Sequence, residues 1–548
     1  MSRILCLVAA LSVASAGFAQ SHHDPPPAAK PAALLAGMGS HHHPIATASP
    51  EAQKFFDQGV TLLFGFNHEE AYRSFAKAAE LDPKAAMPRW GTALALGANY
   101  NDPEPEAERL KKARAEVEKA LALAATGPEN ERAYVDALAV RYSADPAADR
   151  KALAVAYNEA MRKLTQTYPD DLDAATLYAE SGMTLRPWKL WRPDGTPEEG
   201  TEEIVAVLES VMKRDPSHPG ANHYYIHAIE ASKHPERGLP SASRLETLVP
   251  AAGHLVHMPA HIYSRTGDHL AAEKANAAAA DADRAYIRAS GAQGMYPLMY
   301  YTHNVVFQSA AAAMAGRHAE AKKAADLLFA DVLPAVAEMP SMLEGFLLQP
   351  AFVALRFGKW DDIRQMPDPG PKLPFVRANW LYARAMAAAA SGEVKRAATL
   401  RDSFLASRDA VPAATLAGAQ NPASLFFEVA AAVLDARIAE ARGDRTAAIE
   451  SWTKAVAAED ALAYDEPPGW YYPVRESLGA ALLRDGQAAE AEQVFRADLE
   501  RNPRNPRSLF GLSEALVAQK KDADARWART QFQTAWKNAD VPLRLEDL

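Results

Sequence analysis

Cysteine is all but missing from this chain: Cys6 is the only one among 548 residues, and it sits in a segment that reads as removable. Disulfides are therefore excluded from the mature protein, and so are iron–sulfur clusters, thiolate zinc sites and blue-copper centres. His, Asp, Glu and Met remain as ligands for any metal. A basic excess is lacking too, since 69 acidic residues outnumber 59 basic ones for a net charge of −10. That balance argues against nucleic acid, whose phosphates call for a net basic face. No apolar run beyond the first residues reaches the length of a membrane span. Nucleophile motifs, phosphate-cradling glycine loops, dinucleotide fingerprints and the His-Glu-x-x-His zinc-protease pattern do not occur.

The first 19 residues have the form of an export signal: Arg3 supplies the charge, Ile4 to Val13 the apolar stretch, and Gly17-Phe18-Ala19 a small-residue cleavage site before Gln20. A periplasmic or secreted protein follows as the expectation. Residues 20–50 hold Pro25-Pro26-Pro27, Pro31, His22-His23 and His41-His42-His43 with few large apolar groups, a composition that predicts a mobile leader. Its histidines could gather metal loosely, but their spacing specifies no geometry.

From Glu51 onward the chain reads as helices with short breaks. Phe55, Gly59, Ala71, Phe75, Ala78 and Pro83 fall at positions 4, 8, 20, 24, 27 and 32 of a helix-turn-helix unit of 34 residues. Small residues at 8 and 20 let two helices approach, aromatics fill the gap, and proline stops the second helix. Leu478-Gly479, Ala491, Phe495 and Pro503 repeat the pattern, Leu512 and Ala525 follow at the same offset, and Gly443, Ala448, Trp452 and Ala455 fit as well. The chain thus resembles tetratricopeptide-repeat proteins over most of residues 51–548. Within that superfamily Gly65-Phe66-Asn67-His68, Asn222 to His227 and His254 to His261 look like runs of secreted bacterial multi-repeat proteins. The resemblance implies an all-α right-handed solenoid, elongated because repeats stack in one dimension. Proline-rich breaks at 367–374 suggest one solenoid over 51–370 and another over 371–548. The Trp188 to Gly200 loop departs from the template and is expected to anchor against a helix face.

Histidines concentrate in the middle repeats: eight of the sixteen lie between His218 and His269. His223 and His227 recur 34 residues later as His257 and His261. With Pro250 at position 32, His223, His227 and Glu230 take positions 5, 9 and 12, and His254, His257 and His261 take 2, 5 and 9 of the next unit; His303 returns to position 2 after it. In the repeat family these positions line the concave groove, and offsets of three and four residues fall on one helix stripe independently. Imidazoles four residues apart are separated by about 6 Å of rise and those of packed helices by roughly 8–10 Å, within reach of one or two ions. The expected site is therefore a zinc or copper centre on His223, His227, His257 and His261, with His254 and His303 as further candidates and Glu230 as ligand or general base. Tyr224, Tyr225, Tyr263, Tyr296, Tyr300 and Tyr301 read as core or groove wall, with Met258, Met295 and Met299 nearby. His218, His234 and His269 are expected in loops or at helix ends, and His68 as a cap or surface residue. Three classes of function stay open: a scaffold holding a protein or peptide in its groove with a metal bound beside it, a metal-dependent hydrolase or oxidase, and a metal-free interaction scaffold.

Overall fold

The structure, a computed structural model, describes residues 30–548 apart from Glu338. The export signal and the first part of the leader lie outside the described residues. Helices follow one another in packed hairpins, and the described residues contain no strand, only isolated bridges. No helix among them is long and apolar enough to cross a membrane. The fold is an all-α helical solenoid built from consecutive helix hairpins.

Glycine and phenylalanine explain the stacking. A Cβ on Gly59 would lie 2.5 Å from the Phe75 ring, and one on Gly91 of the next hairpin would lie equally close to the other side. Phe495 is gripped in the same way between Gly479 and Gly511, at 2.6 and 2.2 Å. One aromatic ring thus occupies the seam of two successive repeats, where only glycine leaves room for it. Polar residues set the helix starts: Ser49, Asn67, Asp171, Asp268 and Asp444 each accept a first-turn backbone N–H.

Three expectations need correction. The leader is not loose from Lys30 onward: Gln58 takes the Leu35 N–H on its Oε1 and donates to the Ala33 carbonyl, and Met38 is buried. Further on, His41 and His43 face the Asp173 carboxylate at 3.1 and 2.6 Å, and Thr47 donates to Asp82. This strap is held by polar contacts, which its lack of large apolar residues does not reveal. Second, no break in the core occurs near residue 370. One apolar cluster runs from Met38 to Ile262 and another from Ala280 to Leu548, so the joint lies between them. Third, the solenoid does not simply extend. Arg504 donates to the Thr266 carbonyl at 2.6 Å, Gly267 lies against the Pro503 carbonyl, and Asp540 accepts the His318 and Ala319 N–H groups at 2.8 Å. The last repeats therefore curl back onto the segment that joins the two cores.

Candidate metal centre

At that joint the histidines come together. His223 and His227 lie on the helix Pro219–Ile229, His254 and His257 on Gly253–His257, His261 on Pro259–Arg265 and His303 on Thr302–Met314. Pro219 sits in a first helical turn, where a missing N–H costs nothing, and His218 caps that helix by accepting the Ala221 N–H. Pro259 divides the second run of histidines between two short helices, yet Met258 keeps helical angles and the two continue each other. Paired rings four residues apart have centroids 4.9 Å apart for His223 and His227 and 4.6 Å apart for His257 and His261.

Hydrogen bonds fix how the rings face. The His223 Nδ1 meets the Phe64 carbonyl, which can only accept, so this nitrogen bears the proton. Asn276 donates its Nδ2 to the Ala272 carbonyl at 3.0 Å and so turns its Oδ1 to the His257 Nδ1. Glu230 accepts from the His227 Nδ1 at 2.9 Å through one oxygen and from the His261 Nδ1 through the other. A second carboxylate, Glu466, also reaches the His261 Nδ1. Four imidazoles therefore have their Nδ1 atoms engaged outward and their Nε2 atoms turned inward.

Those inward atoms crowd. His223 Nε2 and His254 Nε2 are 3.0 Å apart, His257 Nε2 and His261 Nε2 are 2.7 Å apart, and His303 Nε2 stands 3.1 Å from His257 Nε2. Buried His227 Nε2 has no hydrogen-bond partner among the described residues. One proton can bridge one such contact, but it leaves His227 unpartnered and gives the single His257 lone pair two claimants. A cation lodged among neighbouring rings would give such lone pairs a common partner. Outer-sphere acceptors on Nδ1 with convergent Nε2 atoms are also what orients imidazole ligands in metal sites.

Burial sets the electrostatics. Desolvation first, then the neighbouring imidazoles, hold His223, His227, His254 and His257 well below the ordinary histidine range, and the same causes bring His303 down to about 3. Burial would lower His261 too, but Glu466 and Glu230 outweigh it and push that imidazole up to about 10. Desolvation raises Glu466 to about 7 against the pull of His261. Neutral imidazoles are the form that ligates metal, so His261 would have to release its Nε2 proton to a bound ion.

The groove is closed here. His223, His227, His257 and His261 are at most 2% exposed, so the expectation of four imidazoles lining an open solvent groove does not hold. Phe66 fills one side: it takes a left-handed backbone angle of 54°, unusual for a bulky residue, and packs against His223 at 4.5 Å, His254 at 5.4 Å and His227 at 5.8 Å. Trp188 and Tyr100 cover His227, each at 5.4 Å, while the Trp191 indole donates to the Ala228 carbonyl. The 188–200 loop thus anchors on the histidine helix, as expected, and also walls the site. Tyr300 stands edge-on to His254 at 5.2 Å, Tyr224 is core, and Met295 points outward, 49% exposed.

His218, His234 and His269 lie at helix ends, outside the cluster. His68 begins the helix His68–Leu81, capped by Asn67, and burial lowers it to about 4. Glu466, Asn276 and Phe66 escaped the sequence reading. A second grouping escaped it as well: Asp173 gathers His41, His43 and His218 beside a cavity of about 800 Å³. His218 accepts a backbone N–H at its Nδ1, so its Nε2 carries a proton and donates to Asp173 at 2.9 Å. That arrangement is a clasp of imidazoles on a carboxylate.

The sequence matches no family model and no curated protein. Among solved structures the chain is similar to a human IFIT1 dimer with m7Gppp-AAAA, at 13% identity and a TM-score of 0.33 over 90% of this chain and 91% of that one. It is likewise similar to yeast Tom70, at 12% identity and a TM-score of 0.33 over 88% and 99% of the two chains. These likenesses concern helical-repeat architecture alone and assign no ligand, partner or reaction to this chain.

Proposed function

We propose that this chain is an exported repeat scaffold that binds a transition metal, zinc or copper, through the imidazoles at the joint of its two cores. The observation that carries the reading is the inward turn of the Nε2 atoms, with His223, His227, His257 and His261 each steered from behind by a carbonyl, an amide oxygen or a carboxylate. Without an ion, this much unpartnered imidazole in the interior would cost desolvation with no return. Imidazole suits both zinc and copper, and no thiolate competes. The repeat architecture fits protein binding, but the closed centre has no room for a peptide, so a protein partner would use the remaining concave surface. Both Glu230 oxygens accept from imidazole N–H groups, which supports a positioning carboxylate over the general base of the hydrolase alternative.

Elemental analysis of untagged protein tests the proposal. At least one equivalent of zinc or copper per chain should survive dialysis, and His223→Ala and His257→Ala should each lower the content while leaving the helical circular dichroism intact. A metal-free protein that takes up no zinc or copper on reconstitution would return the chain to the class of metal-free scaffolds.

A further inference from the structure

We infer that the centre holds two metal ions, an inner one on His223, His227 and His254 and an outer one on His257, His261 and His303, and that the outer ion carries the exchangeable coordination position. This rests on the metal-binding reading above and goes further, to the number of ions and their inequality.

Within each set of three histidines one ligand atom per residue lies within 4.8 Å of the others. His227, Glu230 and His261 form a further grouping of that tightness with one histidine from each set, but there Glu230 already accepts from both Nδ1 atoms, and no such grouping among the described residues holds all six histidines. A single ion would therefore satisfy one set and abandon the other. Left empty, the inner set keeps His227 Nε2 buried without a partner; left empty, the outer set keeps two imidazole nitrogens, at 2.7 and 3.1 Å, on the one His257 lone pair.

Charge and connectivity agree. Two divalent ions on six imidazoles, with the second His261 proton displaced, place four positive charges in the interior, and Glu230 and Glu466 are the carboxylates that face them through the rings. Glu230 spans the pair, since one oxygen holds His227 of the inner set and the other holds His261 of the outer set. The two sets are also neighbours, with ring centroids 5.3 Å apart for His227 and His261 and 5.7 Å for His254 and His257.

Three imidazoles leave each ion short of four-coordination, the state in which a metal site keeps a position for water or another small ligand. The sets differ in access. His223, His227 and His254 are all buried, while His303 in the outer set is only partly so. The open position that solvent can reach is on the outer ion, and the ligand class that fits is water, hydroxide or a small anion.

Copper(II) alone serves as the probe, in full-length protein with His22 and His23 replaced by alanine in every sample so that those side chains add no copper. Equilibrium dialysis should find two copper ions per chain. His254→Gln should lower this to one and keep the change in absorption that azide produces; His303→Gln should also lower it to one but abolish the azide response. The parent stoichiometry stands even where a variant fails to fold. One copper per chain in the parent, lost altogether in either folded variant, would overturn the two-ion inference and leave the metal-binding reading standing. No copper in the parent would overturn both. Two coppers with an azide response that survives in folded His303→Gln would overturn the assignment of the outer position.

Discussion

Glu230 occupies the C-cap position of the helix Pro219–Ile229 and is 1% exposed, and each of its oxygens takes a proton-bearing nitrogen from a different imidazole. Glu230→Gln keeps the shape but offers one acceptor and one NH2 group to two N–H donors, so one of the two rings must lose its support. Outer-sphere partners of this kind are worth on the order of 10- to 100-fold in metal affinity. A chelator competition titration should therefore show weaker binding by about that factor, with little change in the helical spectrum. Unchanged affinity in a folded variant would mean that the carboxylate does not orient the rings. The histidines themselves were legible because four-residue spacing and a repeat of 34 place them on one stripe. Asn276 was not, since a single amide in an alanine-rich helix has no period to betray it. Phe66 was not either, because its role depends on a left-handed backbone angle that aromatic residues seldom adopt.

Among the elements, the hairpins were plain in the sequence, since the glycine and aromatic positions that define them are the atoms in contact at Gly59, Phe75, Gly479 and Phe495. The strap before Ser49 was not, for its order comes from imidazoles and carboxylates that composition records only as polar residues. Its clasp depends on pH. Burial alone would raise the Asp173 carboxyl, but His41, His218 and His43 outweigh it and hold the carboxyl well below the usual range. That contribution is complete above the ordinary value of 3.8 and is lost only as pH falls through the depressed one. Burial would lower His43, but Asp173 outweighs it, with Asp171 and Asp57 adding to the rise. The stabilisation from His43 is complete below 6.5 and is lost as pH rises through the elevated value. The strap should thus be tight in mildly acidic solution and loosen first on the alkaline side. Hydrogen exchange over residues 35–49, corrected for the intrinsic rate, should show protection falling above neutrality, and Asp173→Ala should lose it at every pH. Protection indifferent to pH in the parent would show that the charge pair is not what holds the strap.

Across the whole molecule, the histidine cluster gains its second carboxylate because the chain folds back. Glu466 lies far along the sequence from His261 and reaches it only when the last repeats return to the joint, through Arg504 on Thr266 and Asp540 on the His318 helix. Repeat periodicity describes each hairpin and its neighbour, and it carries no information about contacts between distant turns of a superhelix. The curl, the joint between Ile262 and Ala280 and the Glu466 carboxylate were for that reason invisible, while the repeat type was not. Phe66, Tyr100 and Trp188 bury the rings from the other side, and a buried cluster suits the proposed holding of ions better than peptide capture. Anomalous diffraction from crystals of the copper- or zinc-loaded protein tests this most directly. One peak should lie among His223, His227 and His254 and a second among His257, His261 and His303; loaded crystals with no anomalous density in either set, or with density only beside His41 to His43, would overturn the metal-binding reading.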